Sequence, residues 1–252
     1  PVELFQPYYS NAVANFVAQH VETYDVDDDN PNERIDILEI GGGRGTNAVA
    51  VLNHLQAKHP DLYHRCHYTL LDASPTLHQY QKERLAATPH ADRVSFVHKN
   101  LADLVEKQEP LLRPHPTRPA VILALEVLDN LPHDKIRSIR RRSKTSSQQH
   151  PSAGLGRKRP PRKQNTTSWE QCTIRQASQT QQQEQQEEED SSIRYQEQFV
   201  PLTDPLLKTI VRLAPSYTAG RHDGPVVAWI PTIALGMLHQ LPQCRPNCTV
   251  LM

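Results

Sequence analysis

Three glycines at alternate positions, Gly41, Gly43 and Gly45, follow Glu39 in the stretch IDILEIGGGRGTNA. A second acid, Asp72, closes YTLLDAS, and a third group, Glu126, Asp129 and His133, is crowded into LEVLDNLPHD. Glycine repeats of this kind let a backbone turn tightly and come close to a ligand at a helix start. An acid closing the following strand is where a ribose diol is gripped, because a carboxylate accepts from both hydroxyls. Taken alone, Asp72 would also serve as an Asx turn ahead of Ser74 and Pro75.

Several ligand classes use such a turn. A phosphate loop needs Lys-Ser or Lys-Thr after its last glycine, whereas Gly45 is followed by Thr46 and Asn47. A dinucleotide fingerprint needs a glycine at position 46, where threonine stands, so a nicotinamide-dependent oxidoreductase is disfavoured. The pattern is instead an acid followed by G-x-G-x-G. It leaves little room for a pyrophosphate and fits a nucleoside carrying a cationic amino-acid tail. S-adenosylmethionine matches best, with Glu39, Gly41, Gly43, Gly45 and Asp72 as its candidate contacts.

These residues need elements to hold them. LFQPYYSNAVANFVAQHVETY spaces Phe5, Val13, Phe16, Val17 and Val21 roughly on one helical face. Strand IDILEI, helix GTNAVAVLNHLQAKH, strand HYTLLDA, helix SPTLHQYQKERLAAT, strand VSFVHKN and strand AVILALEVL follow in turn. Ser74 is an expected N-cap, with Pro75 at the first helical position. Alternating strands and helices predict an α/β fold: a Rossmann-like, mostly parallel sheet with helices on both faces and ligands at the carboxyl ends of its strands.

Composition bounds the rest. The chain has 252 residues, with 28 Lys plus Arg against 28 Asp plus Glu, so bulk charge favours neither a nucleic-acid nor a membrane partner. No apolar run is long enough to span a bilayer. Four cysteines suggest a reducing compartment rather than a disulfide framework. Cys244 and Cys248 lack a second pair of ligands and read as thiols in a loop before the last strand, so no metal is expected. The ending CTVLM reads as an apolar strand cut short, which suggests a fragment or processed chain.

Residues 137–192 break the pattern, opening basic (RSIRRRSK, GRKRPPRK) and closing with QTQQQEQQEEED. Little apolar surface is available to offset ordering entropy, so this segment is expected to be a mostly disordered insertion. SWEQCTI, Ser168 to Ile174, is the piece with strand character inside it. The insertion separates residues 1–136, an N-terminal helix plus the cofactor-binding half, from residues 193–252, the remainder of the same domain.

ELFQPYYSNAVA, LEIGGGRGTNA, LLDASPTL, LEVLDNLPHDKI and YQEQFVPLTDPLL together resemble the MidA-type methyltransferases, in order and over most of the chain outside the insertion. That family includes a mitochondrial protein-arginine methyltransferase that assists complex I assembly. The resemblance implies an S-adenosylmethionine-dependent enzyme, a protein substrate such as a complex I subunit, and a mitochondrial location. The rival reading is a non-catalytic assembly factor that retains the fold.

A guanidinium acceptor has a pKa above about 12 and a delocalised lone pair, so it must be oriented. Glu126 and Asp129 are the expected carboxylate fork that would aim one nitrogen at the methyl group. His133 either takes the proton or, as its position favours, caps the next helix with Asp134. Asn130 is expected to shape the turn. Asn100, closing the third strand, is placed where this fold contacts adenine.

Overall fold

The computed structural model describes residues 5–22, 33–141, 166–176, 195–213 and 226–252. They fall into two compact units, residues 1–132 with 233–252 and residues 133–232.

The first unit opens with helix α1 (Tyr8–Glu22) and strand β1 (Ile35–Ile40). Helices α2 (Thr46–Lys58) and α3 (Pro60–Arg65) lead to strand β2 (Cys66–Asp72), where Pro60 starts the short second helix that the sequence pattern did not separate. Helix α4 (Pro75–Ala86), strand β3 (Val94–His98), helix α5 (Leu101–Glu106) and strand β4 (Ala120–Leu123) follow. Ser74 caps α4 as expected, accepting from the Leu77 amide, with Pro75 in the first turn.

In the second unit, strands β5 (Asp134–Arg141), β6 (Thr166–Gln176) and β7 (Tyr195–Pro201), helix α6 (Pro205–Leu213) and strand β8 (Val227–Ile230) come next. Helix α7 (Thr232–Cys244) and strand β9 (Cys248–Leu251) return to the first unit.

The first sheet is parallel throughout, in the order β3-β2-β1-β4-β9. Connections from β1 run outward in one direction and then jump to β4 on its other side. The carboxyl ends of β1 and β4 therefore flank the topological switch. Alternate residues of each strand feed two separate cores. Ile35 and Ile37 join Tyr68, Leu70, Val121 and Leu123 under α1 and α2, while Leu38 and Ile40 join Leu71, Ile122 and the Met237 side of α7. That two-sided burial is why every residue of β1 is buried.

Two expectations need correction. The predicted strand AVILALEVL stops at Leu123, because the chain turns at Leu125–Val127 and makes a 3-10 turn at Leu128–Asn130. The expected insertion also starts too early, since residues 137–141 are strand. β5 crosses its start, and β6 covers the predicted SWEQCTI.

The second unit is an antiparallel sheet, β7-β6-β5-β8. Basic composition hid its alternation, in which Ile136 and Ser138 point inward while Arg137 pairs with Glu170 on the facing strand at 2.6 Å. Residues 142–165 and 177–192 lie outside the described residues. The final twenty residues return to the first sheet rather than continuing the segment before them. Among the described residues no helix is long and apolar enough to cross a membrane.

Candidate cofactor and acceptor site

The glycine turn leaves β1 and enters α2. Gly41, Gly43 and Gly45 have φ of 69°, 54° and 77°, the left-handed region that side chains resist. Gly41 also has no room, since a Cβ there would lie 2.7 Å from Val127 Cγ2. This contact packs the loop after β4 directly on the glycine turn. At Gly43 a Cβ would meet nothing within 4 Å, so the backbone faces open space. Gly45 caps α2 without a side-chain acceptor, leaving the positive end of the helix for a ligand.

Glu39 sits beneath this turn, not on its open side. It is buried, its Oε1 accepting from Asn47 at 2.8 Å and its Oε2 from the Tyr68 hydroxyl at 2.9 Å. Asn47 in turn accepts from Ser10, and Ser10 from Gln6, which ties α1 to the turn. Burial raises the Glu39 carboxyl above its ordinary value, although both hydrogen bonds pull it down. Burial, with Glu39 alongside, pushes Tyr68 well above the ordinary tyrosine range.

Asp72 ends β2 and makes the Asx turn: Oδ1 accepts from the Ser74 amide at 2.9 Å. Oδ2 accepts from Gln81 Nε2 at 3.3 Å, and the same nitrogen donates to the Gly43 carbonyl at 2.9 Å. Both neighbours are acceptors, so the amide nitrogen must face them. Gln81 Oε1 is buried with no donor among the described residues. Gln81 thus braces the turn against Asp72, a role that its place in α4 did not reveal. A carboxylate offers about four acceptor positions, so Asp72 retains capacity for a diol.

The acids of the other predicted cluster are exposed after β4. Glu126 has φ of 54°, a left-handed backbone on a non-glycine residue. Asn130 shapes this turn as expected, donating to the Glu126 carbonyl at 3.0 Å and to Asp129 Oδ1 at 3.4 Å. Tyr9 of α1 belongs to the same neighbourhood. Its phenol is raised first by burial and then by the negative charges of Glu126 and Glu39.

Two further residues differ from expectation. His133 and Asp134 cap no helix, because Asp134 opens strand β5. His133 is an exposed residue of the second unit. Asn100 caps α5, accepting from the Ala102 amide at 2.9 Å, which leaves its amide nitrogen as the group able to meet a base. Cys244 is the last residue of α7 and Cys248 the first of β9, so the two thiols flank the loop rather than sit within it. Among the described residues no group of three His, Cys, Asp or Glu side chains is arranged to hold a metal.

The residues present fit S-adenosylmethionine. The open space at Gly43, the uncapped start of α2, the spare capacity of Asp72 and the orphaned Gln81 carbonyl suit an amino-acid tail and a ribose without any phosphate to neutralise.

Comparisons with known proteins bear on the family and the fold. A family described as "putative S-adenosyl-L-methionine-dependent methyltransferase" matches residues 12–252. A search of curated proteins gave no match. Among solved structures, a protein from Burkholderia thailandensis bound to S-adenosyl-homocysteine aligns with TM-score 0.52 and 17% identity, over 95% of this chain and 44% of that one. A native structure of a protein from the same superfamily and organism aligns with TM-score 0.51 and 18% identity, over 94% and 46%. At such identities the likeness concerns the fold, and this chain spans under half the length of either structure. With its matched span covering nearly all of its length, the chain belongs to this family of S-adenosylmethionine-dependent methyltransferases.

Proposed function

We propose that this chain carries the catalytic portion of a methyltransferase that moves a methyl group to a nitrogen of a protein arginine side chain. The carrying observation is the Val127–Gly41 contact, which sets the exposed Glu126 and Asp129 loop against the donor turn.

When bound, S-adenosylmethionine supplies an electrophilic methyl group on a sulfonium. Gly41, Gly43 and Gly45 give it close backbone approach, Asp72 accepts from its ribose, and Asn100 can donate to its adenine. Methyl transfer is an in-line displacement, so positioning supplies most of the rate. Glu126 and Asp129 hold the guanidinium, aim one nitrogen and localise positive charge on the others. As the new N–C bond formed, the methyl–sulfur bond would break with its electron pair staying on sulfur, S-adenosyl-homocysteine would leave, and the proton lost by the attacking nitrogen would pass to the carboxylate holding it. Glu39 supports the turn from below through Asn47 and Tyr68.

The resemblance carries the acceptor further, to a complex I subunit in the mitochondrion. A non-catalytic scaffold has no use for the open backbone at Gly43 or for the spare acceptor positions of Asp72, and is the less favoured reading. The test is methyl incorporation from labelled S-adenosylmethionine into arginine-containing and lysine-containing peptides. Methylarginine is expected, falling on the order of a hundredfold in Glu126→Gln or Asp129→Asn, comparable to losing one preorganised electrostatic contact. Wild-type rates in both variants would remove the clamp. Incorporation only into lysine would remove the arginine acceptor.

A further inference from the structure

Three arginines enter the first sheet at the amino ends of neighbouring strands: Arg34 just before β1, Arg118 before β4 and Arg245 before β9. One carboxylate, Asp36, serves all three. Its Oδ1 accepts from Arg34 Nε at 2.9 Å, its Oδ2 accepts from Arg245 Nη2, and Arg118 Nη1 stands 3.8 Å from Oδ2. The alternation of β1 turns Asp36 to the same sheet face as Leu38, where Thr69 and Ser95 lie in register on β2 and β3.

Against this face lies a cavity of about 320 Å³, lined by all three arginines, by Arg113, and by Val97, Leu111 and Leu112 on its apolar side. Arg245 is 1% exposed, yet its Nε and Nη1 find no acceptor among the described residues, and the buried Nε of Arg118 finds none either. A buried, unpaired guanidinium donor is costly. Four cations around one carboxylate leave an excess of three positive charges at the wall. The neighbouring Glu33 is engaged elsewhere, by Thr117 and His115. His67, the remaining titratable group of the lining, is held toward its neutral form by burial and by Arg34.

We infer that this cavity is a second binding site, for a small phosphate monoester. The phosphoryl oxygens would face the guanidinium groups of Arg34, Arg113, Arg118 and Arg245 that line the wall, and the organic part would rest on Val97, Leu111 and Leu112. A dianion with three terminal oxygens can accept from several guanidinium forks at once. The volume is at the lower end of the range for ligand pockets, enough for a small ester. The site lies toward the amino ends of the strands, whereas the glycine turn and Asp72 lie at the carboxyl ends, so it goes beyond the proposed methyl transfer and does not depend on it.

The test uses the whole chain with inorganic phosphate and with n-butyl phosphate, read by thermal shift and calorimetry against sodium chloride at matched ionic strength. Both phosphates should raise the melting temperature saturably, and n-butyl phosphate should bind more tightly. Ser95→Glu, which places a carboxylate among the arginines, should weaken binding at least tenfold while keeping a cooperative transition. Arg113→Gln, an exposed lining residue outside the Asp36 pairs, should weaken it in the same direction if Ser95→Glu folds poorly. Saturating S-adenosyl-homocysteine should leave the phosphate response in place. No response beyond chloride, undiminished binding in both variants, or competition with S-adenosyl-homocysteine would each overturn the site.

Discussion

The Tyr68 hydroxyl donates to Glu39 across the β1–β2 pair, inside the core, 2.9 Å from the carboxylate that lies under the glycine turn. The motif acid is therefore a support whose strength depends on the next strand. Tyr68→Phe should cost about 1–3 kcal/mol, the range for a buried group left short of a partner. Chemical denaturation measures this directly, and a cost near zero would mean Glu39 does not rely on the phenol.

Glu39 also predicts a pH dependence. Burial raises its carboxyl above the ordinary 4.5, so the folded chain keeps that proton to higher pH than the unfolded chain. The contribution of this group to stability is full below pH 4.5 and is lost as pH rises through the folded value. Glu39→Gln removes the titration. The stability of wild type relative to Glu39→Gln should fall as pH rises above 4.5. A gap that widens with pH would reverse the assignment.

The glycines separate two physical costs. Gly43→Ala meets only the left-handed φ, about 1–2 kcal/mol. Gly41→Ala meets that and the Val127 contact, so it should lower stability further, and Val127→Ala should restore part of the difference. Cofactor affinity should respond in Gly43→Ala despite its milder effect on folding, because the new methyl enters the open side of the turn. Equal stability losses in the two variants would contradict the packing of the β4 loop on the turn.

Much of this was legible from the sequence. Alternating glycines and flanking acids located the turn, and apolar strands buried on both faces announced a parallel sheet. The helix start at Ser74-Pro75 formed as its chemistry required. Other features were out of reach. Gln81 and Tyr68 acquire their roles from partners 38 and 29 residues away, a separation that no local pattern encodes. The charged strand β5 was hidden because Arg137 finds its counter-ion on another strand. His133 was expected to cap a helix together with Asp134, but cross-strand pairing of Asp134–Arg137 with β8 decides otherwise.

Glu126 holds a left-handed backbone that costs a non-glycine residue on the order of 1–3 kcal/mol. Such strain at an exposed acid is what a site under functional constraint retains. Glu126→Gly should be no less stable than wild type, while methyl transfer to arginine peptides falls on the order of a hundredfold. Loss of stability together with activity would show that the glutamate serves the fold.

The glycine turn and Asp72 are proposed to bind S-adenosylmethionine together. Calorimetric titration of the wild type and of Asp72→Ala, with S-adenosylmethionine and separately with NAD, tests this most directly. The wild type should bind S-adenosylmethionine at one site and not NAD. Asp72→Ala should weaken that binding by about 1.5–3 kcal/mol, the range for a hydrogen bond to a charged group, and should remain folded. Binding of NAD by the wild type would assign the turn to a dinucleotide, and unchanged S-adenosylmethionine affinity in folded Asp72→Ala would leave Asp72 as a turn residue only.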